Sequence, residues 1–382
     1  MNKTLKIIIG LVIILLIIWG ISSLVGNRVP AVTETGPIKV GFMGALTGDA
    51  AVYGEPMQKV VAMAVGEINA GGGINGRQIE VVYEDDKCDA KAGVSAAQKL
   101  VNVDKVQVII GSICSGPSLA AIPIVESAKV LLFSPTASSP DLTGKSLFFA
   151  RDYPSDSSQG KVLANAAFDV KKYQKVALIQ EQTDYASGIA KVFEATFQEL
   201  GGTVVKEGFS SEMTDLRSQL AKLKDAKPDV LFVDTQAGPA ASRILKQVRE
   251  LKWNIPLIAN DTVSGDKDVL AANGDFLEGA LAAEFNVSGN DRFQTLISNY
   301  KTKYGEDMPY QQYGQTEYDS VYLLKDAIVA VGYNGEKIAN WLRSVKDWPG
   351  ASGLVTIDSD GDRVGGHVLK VIKDGKVELV NQ

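Results

Sequence analysis

Hydroxyl-bearing residues follow two short apolar runs in the middle of the chain, and they suggest binding rather than bond cleavage. The runs span 106–113 and 130–133, and each is long enough for a buried strand. The small polar residues at their ends are Ser112, Ser115, Gly116 and Ser118 after the first run, and Ser134, Thr136, Ser138 and Ser139 after the second. Hydroxyls and backbone N–H groups with almost no charge suit a polar or zwitterionic small molecule. Hydrolysis is not indicated, because no base lies beside these hydroxyls in the sequence.

Three tyrosines and one aspartate lie near other predicted strand ends or helix starts. They are Tyr53, Tyr185, Asp261 and Tyr313. An isolated tyrosine in such a place is usually exposed or packed against a turn. Their shared location near the carboxyl ends of predicted strands, where ligands of α/β sheets bind, makes them candidate ligand contacts.

Two glycine-containing motifs resemble phosphate-binding loops but have the wrong context. Gly71, Gly73 and Gly76 match G-x-G-x-x-G, yet they follow a predicted helix and lead into a strand, the reverse of the dinucleotide arrangement. They are typical of a helix C-cap and turn. The segment 143–146 ends like a P-loop but lacks the strand-to-helix context, so we expect no nucleotide cofactor.

The sequence also gives little indication of a metal or of catalysis. The acidic segment 358–362 begins like a calcium loop, but Arg363 occupies the position of the sharp-turn glycine and Leu369 that of the bidentate glutamate. A solvated turn is the main interpretation, and a weak calcium site is the alternative. His367 is the single histidine, and no G-x-S-x-G elbow is present, so we expect neither a catalytic triad nor another enzyme site.

The two cysteines, Cys88 and Cys114, allow one disulfide. An even and sparse count is typical of an exported protein with one bond, which would close a loop of about 26 residues. The alternative is two free buried thiols. A metal site is not favoured, because two cysteines and one histidine do not provide four ligands.

The composition indicates a soluble α/β protein preceded by a membrane segment. The chain has 382 residues, of which 45% are hydrophobic and 22% charged, and its net charge is −6. We expect two domains and, without a basic run, no nucleic-acid partner. Residues 1–27 carry Lys3 and Lys6 before an uncharged apolar stretch, Ile7–Gly26, which is long enough to span a bilayer. This segment is either an uncleaved anchor or a long signal peptide, and 28–37 is a linker.

The remaining chain predicts two consecutive series of alternating strands and helices. The first covers about 38–151 and the second about 156–283. Three helices are predicted within 292–345, and short strands follow to the C-terminus. The fold class is therefore α/β, with two doubly wound lobes rather than one large sheet.

Several stretches together resemble the periplasmic leucine/isoleucine/valine-binding proteins of ABC importers. The matching segments are IKVGFMGALTGDAAVYG at 38–54, INAGGGINGRQIEVVYEDDKCD at 68–89, VIIGSICSGPS at 108–118, LFSPTASSPDLTG at 132–144 and QTEYDSVYLL at 315–324. The resemblance covers nearly all of the chain from Ile38 onward. It implies two Rossmann-like lobes joined by three crossings, with a hinge and an interlobe ligand cleft. The implied lobes are 38–154 plus 286–352, and 155–285 plus 353–382.

The resemblance also implies the site residues. Cys114, Ser115, Thr136 and Ser138 match positions that hold the α-carboxylate and α-ammonium of an amino acid, and Asp261 matches the acidic partner of the ammonium. Tyr53, Tyr185 and Tyr313 resemble aromatic residues that line the cleft. The cysteine pair matches the family disulfide, whereas Gln236 or Ala237 falls where the family has an aromatic residue.

The function implied is that of an extracytoplasmic receptor which delivers an amino acid or similar small solute to a membrane permease. We expect a monomer without cofactor or metal, attached to or exported across the membrane through its N-terminal segment. The alternative is a ligand-sensing ectodomain of the same fold that acts through a signalling partner.

Overall fold

Five parallel strands form the first sheet of the computed structural model, which describes residues 36–380. The strands are β1 (Ile38–Gly44), β2 (Ile79–Asp85), β3 (Val108–Gly111), β4 (Leu131–Ser134) and β5 (Phe149–Arg151), in the order β2-β1-β3-β4-β5. The helices between them are α1 (Ala51–Ala70), α2 (Ala90–Asn102) and α3 (Ser115–Ala128). Because all neighbouring pairs are parallel, the carboxyl ends of these strands share one edge of the sheet.

A second series follows and builds most of a second sheet. Its strands are β6 (Lys175–Glu181), β7 (Thr203–Phe209), β8 (Val230–Asp234), β9 (Leu257–Ala259) and β10 (Leu281–Phe285). Its helices are α4 (Ser157–Asn165, continued by a π turn over Ala166–Val170), α5 (Asp184–Glu199), α6 (Arg217–Asp225), α7 (Gly238–Glu250), α8 (Asp261–Ser264) and α9 (Lys267–Leu277). The predicted division into two α/β series is confirmed.

The chain then returns to the first sheet before it ends on the second. The returning elements are α10 (Asp291–Tyr304), α11 (Gln311–Val331), α12 (Gly335–Leu342), β11 (Trp348–Gly350) and β12 (Gly353–Val355). The final strands, β13 (His367–Lys373) and β14 (Lys376–Leu379), extend the second sheet antiparallel, in the order β14-β13-β10-β9-β8-β6-β7. Strand β12 pairs with β11, and Ile357 packs in the same apolar cluster as β1. We therefore propose that the third crossing between lobes lies at 358–366.

Helix α1 begins at Ala51, six residues before Met57, where the apolar helical periodicity of the sequence starts. Gly54 and Pro56 lower the helix propensity of this turn, so the apolar periodicity alone does not include it. Tyr53 consequently lies in the first turn of the helix, where it is buried. The acidic turn also follows its main interpretation, because the Asp358 carboxylate accepts the backbone N–H groups of Asp360 and Asp362.

Two reciprocal ion pairs join the first and third crossings. Arg151 binds Asp362 through two hydrogen bonds of 2.7 Å each, and Arg363 donates to Asp152 at 2.9 Å. The guanidinium of Arg363 also lies 4.8 Å from the ring centroid of Phe285, which ends the strand before the second crossing. Arg363 lies in the proposed third crossing and contacts residues of the other two. We call this cluster of contacts the pivot between the lobes.

A buried carboxyl group in the first lobe has no compensating partner. Glu317 on α11 is fully buried, and neither of its carboxyl oxygens accepts or donates a hydrogen bond within residues 36–380. Burial raises the pKa of Glu317 well above its ordinary value. The folded protein therefore keeps a proton that the unfolded chain releases above about pH 4.5. Glu317 therefore lowers the stability of the fold as the pH rises above about 4.5.

We expect Glu317→Gln to increase the free energy of unfolding by about 1–3 kcal/mol at pH 7 and to change it little at pH 4. Urea denaturation at both pH values measures the difference. Glu199→Gln, an exposed carboxyl on α5, is the control and should leave the pH dependence as in the parent. An equal effect of Glu317→Gln at both pH values would contradict the conclusion that the folded protein raises the pKa of Glu317.

Candidate functional site

The predicted hydroxyls divide into those that hold the loops and those that face a cleft. Ser112 donates to buried Asp86 at 2.5 Å, and Ser134 donates to the Ser112 carbonyl at 2.6 Å. Ser118 donates to the Cys114 carbonyl at 2.9 Å. These hydroxyls are therefore occupied in fixing the strand ends and do not line the cleft.

Three of the predicted hydroxyl-bearing residues at the strand ends of the first lobe do line the cleft. Ser115 opens α3 directly after β3, and its hydroxyl accepts the Ser139 N–H at 3.1 Å, which leaves its own hydrogen available. Thr136 donates to the Ile113 carbonyl at 2.9 Å. Ser138 donates to Asp156 at 2.6 Å. The first N–H groups of α3 have no acceptor within the helix, so this wall offers donors to an anionic group.

Asp261 supplies the opposite wall and is almost completely buried. It begins α8 directly after β9, and its side chain is 1% exposed. Tyr153 and Tyr313 donate to one carboxyl oxygen at 3.0 and 2.9 Å, and Tyr185 donates to the other. Burial and the nearby Asp261 charge raise the pKa of all three phenols well above the ordinary tyrosine value. They therefore remain protonated and act as donors to the carboxylate.

Tyr153 is a site residue that the sequence analysis missed. It lies two residues beyond the end of β5, in the first crossing between the lobes, and is fully buried. Its ring packs edge-on against Phe285 and near Tyr313. The rule that selected the other tyrosines, an aromatic residue near a predicted strand end or helix start, also applies here. The first predicted series ends at 151, two residues before Tyr153, so this signal could have found it.

The cleft contains about 450 Å³ of space outside the protein atoms, part of which is open to solvent. Its lining residues are Tyr53, Met57, Ile113, Cys114, Ser115, Thr136, Ser138, Tyr185, Gln236, Asp261, Thr262 and Tyr313. All eight ligand-binding residues expected from the sequence are among them. Within residues 36–380, Asp261 is the single charged side chain in this lining. A ligand with one cationic group is therefore the best match to the lining.

A buried acid and the histidine lie behind the lining rather than in it. Asp156 receives the Ser138 hydroxyl, and its other oxygen is 3.6 Å from Nε2 of His367. The Nδ1 atom of His367 lies 2.5 Å from the Ser158 hydroxyl. Burial lowers the pKa of His367 to about 4, so the ring is neutral at physiological pH. Asp156 therefore fixes the orientation of the Ser138 hydroxyl from the side that faces away from the cleft.

The two cysteines form a disulfide with a Cα–Cα distance of 5.5 Å. It joins the loop after β2 to the residue preceding α3. Cys114 is thereby fixed beside Ser115, at the start of the helix whose N–H groups face the cleft. The expected pairing is confirmed, and within residues 36–380 no group of side chains has the arrangement of a metal site.

Comparison with known proteins identifies the family. The family model described as periplasmic binding protein matches residues 37–373. The chain therefore belongs to the periplasmic binding protein family. Members bind solutes outside the cytoplasm, which agrees with the expected extracytoplasmic location. No helix within residues 36–380 is both long and apolar enough to cross a bilayer. The predicted anchor or signal peptide, 1–27, lies outside the described residues.

Individual members of this family resemble the chain along most of its length. A leucine-, isoleucine-, valine-, threonine- and alanine-binding protein from Pseudomonas aeruginosa is 30% identical and aligns with 85% of this chain and 87% of its own. The solved leucine-binding protein LivK from Thermotoga maritima shares 27% identity and a TM-score of 0.82, over 90% of this chain and 98% of that one. LivJ from Streptococcus pneumoniae, solved with isoleucine, shares 30% identity and a TM-score of 0.80, over 91% and 100%.

We expect the double variant Cys88→Ser/Cys114→Ser to lose about 3–4 kcal/mol of unfolding free energy, because it restores the entropy of a loop of about 26 residues to the unfolded chain. Urea denaturation without reductant measures the loss. The parent protein treated with reductant should approach the same value. A loss below about 1 kcal/mol in both cases would exclude the disulfide as a major stabilising bond.

Proposed function

We propose that this chain is the solute-binding receptor of an ABC importer and that it captures an amino acid between its two lobes. The observation that carries this proposal is the opposition of two unlike walls. The first lobe offers the N-terminus of α3 and the Ser115 hydroxyl, whereas the second offers the buried carboxylate of Asp261. A zwitterion presents one anion and one cation, and each wall suits one of them.

The α-carboxylate is assigned to the first lobe. A carboxylate gains from backbone N–H groups at a helix N-terminus and from the positive end of the helix dipole. Ser115, with its hydrogen free, adds a side-chain donor beside them. The helix N–H groups and Ser115 stabilise an anion without a lysine or arginine. Ser138 donates its hydrogen to Asp156, so its oxygen is left as an acceptor for the ammonium.

The α-ammonium is assigned to Asp261 and the Thr136 carbonyl. Three phenol donors leave the Asp261 carboxylate about one further acceptor site of its roughly four, enough for one ammonium hydrogen. The phenol oxygens can accept the others. Acids without an amine are disfavoured, because nothing would then balance this buried charge.

The relatives indicate the size of the amino acid. The Pseudomonas protein is described as binding leucine, isoleucine, valine, threonine and alanine, and the Streptococcus protein was solved with isoleucine. The walls contributed by Met57, Ile113 and Tyr53 are compatible with a small or branched side chain of this kind.

Closure of the lobes depends on glycines at their contact surface. A Cβ on Gly188 in α5 would lie 2.7 Å from Cδ of Pro140 and 3.0 Å from the Ser139 hydroxyl of the other lobe. A Cβ on Gly116 would lie 2.9 Å from an Asp184 carboxyl oxygen across the cleft. The lobes approach this closely because the glycines lack side chains. We infer that ligand binding favours the closed arrangement over an open one.

We propose that the receptor then delivers the amino acid to a membrane permease. If the N-terminal segment is not cleaved, it would keep the monomeric receptor at the outer face of the membrane. If it is cleaved, the receptor would be released there as a free monomer. A ligand-sensing ectodomain is the second candidate, since an anchored receptor can also act on a signalling partner. Neighbouring genes for permeases and ATPases would favour import.

Calorimetric titration of residues 32–382, freed of bound ligand by refolding, tests the amino acid assignment. We expect one-to-one binding of a small or branched amino acid and a decrease in affinity of about 100-fold or more in Asp261→Asn, because a buried ammonium loses its charged partner. Ser115→Ala should weaken binding as well. Asp275→Asn, an exposed acid on α9, is the charge control. Equal binding of acids that lack an amine would contradict the role of Asp261.

Gly188→Ala tests closure separately from ligand contact. We expect the added methyl group to weaken amino acid binding about tenfold or more, because Pro140 and Ser139 must move away. Calorimetry measures the affinity, and thermal denaturation should show unchanged or higher stability, since alanine favours the helix. Gly66→Ala on α1, with only Lys303 Nζ within 4 Å at 3.7 Å, is the matched control. Parental affinity in Gly188→Ala would exclude this contact from closure.

A further inference from the structure

Apart from Ser115, Thr136, Ser138 and Asp261, the cleft has a mixed lining. Met57, Ile113 and the ring of Tyr53 supply apolar surface. The Tyr53 hydroxyl is occupied, because it donates to the Thr262 carbonyl at 3.3 Å. The Thr262 hydroxyl is occupied as well, since it lies 2.7 Å from the Thr235 carbonyl. If the zwitterion binds as proposed above, this is the region left for the side chain of the amino acid.

Gln236 is the exception in this region. It follows β8 and lines the cleft, partly buried. No hydrogen bond within residues 36–380 involves its side-chain amide, which therefore offers two N–H donors and one carbonyl acceptor without partners. Only its backbone N–H is engaged, with a Glu181 carboxyl oxygen at 2.7 Å.

The backbone that carries Gln236 is held on both sides. The preceding Thr235 carbonyl accepts from Asn260 Nδ2 at 2.9 Å as well as from Thr262. Two residues later, a Cβ on Gly238 would lie 2.0 Å from an Asp266 carboxyl oxygen, so the start of α7 packs directly against that carboxylate. The backbone of Gln236 is therefore fixed, while its side-chain amide has no protein partner. A side chain positioned in this way can recognise a polar group of a ligand.

The amide of Gln236 affects which amino acid side chains the cleft binds well. An aliphatic side chain would remove water from Gln236 without offering a hydrogen bond in return. A hydroxyl or carboxamide of similar size would replace that water with a direct bond. Sites that hydrogen-bond a substrate group discriminate against the analogue that lacks it more strongly than apolar pockets discriminate a methyl group.

We propose that Gln236 is a specificity-determining residue and that the preferred amino acid carries a hydrogen-bonding side chain, a hydroxyl or a carboxamide, rather than a purely aliphatic one. This inference rests on the proposed function, because it takes the α-carboxylate and α-ammonium to be bound by Ser115, Thr136 and Asp261, which leaves Gln236 to the side chain. The sharpest comparison is threonine with valine, which have nearly the same shape and differ in one hydroxyl.

Calorimetric titration of the refolded receptor with threonine and valine tests the proposal, and asparagine and leucine serve as a second pair. We expect the parent to bind threonine about tenfold or more tightly than valine, and Gln236→Leu to abolish or reverse this preference. Gln198→Leu on the exposed surface of α5 is the control and should retain the parental ratio. Gln236→Leu should still bind valine, which shows that it folds and closes.

The possible failures can be told apart. If the parent binds valine at least as tightly as threonine, or if Gln236→Leu leaves the ratio unchanged, the role of Gln236 is excluded while the amino acid receptor stands. If the parent binds none of the four amino acids and no other member of the common set, both the proposed function and this inference are overturned. Loss of all binding in Gln236→Leu would also overturn it, since the residue would then be needed for more than selectivity.

Discussion

The structure depends on the cost of burying the carboxylate of Asp261. An unpaired charge in such a place would cost several kcal/mol, so the fold must surround it with donors. Three phenols provide them, and they come from three places: Tyr185 from the second lobe, Tyr313 from the first and Tyr153 from a crossing between them. The carboxylate is therefore satisfied in this way only when both lobes and the crossing are in their closed positions.

The dependence of Asp261 on these phenols connects the cleft to the contacts that Arg363 makes at the pivot between the lobes. Arg363 contacts Asp152 and Phe285, and Tyr153 follows Asp152 directly and packs on the same Phe285 ring. A rotation of the lobes about the crossings would carry Tyr313 away from Asp261 and admit water there. An ammonium ion in the cleft adds a partner that only the closed state can fully surround. The ligand thus changes the open–closed equilibrium through its differential interaction with the two states.

Much of this site could be predicted from local sequence, and the remainder could not. Ser115, Thr136 and Ser138 were found because apolar runs that stop in hydroxyls mark the carboxyl ends of parallel strands. Tyr153 was missed although the first predicted series ends two residues before it, because local sequence does not show that this segment runs between the lobes beside Asp261. The close approach of Gly188 to Pro140 depends on the orientation of two lobes, which no local periodicity encodes. The role of Asp156 behind Ser138 likewise arises from packing between distant segments.

The acids around the cleft also explain why one positive charge is the natural complement. Burial raises the pKa of Asp156 and Asp234 well above the ordinary carboxyl value, and the charge of Asp261 adds to the shift in both. These shifts favour the protonated forms of Asp156 and Asp234, and neither carboxyl group lines the cleft. Asp261, which accepts from three phenols, is the one acid in the lining described. A single ammonium therefore matches the lining, and a ligand with a second positive charge would have no further partner there.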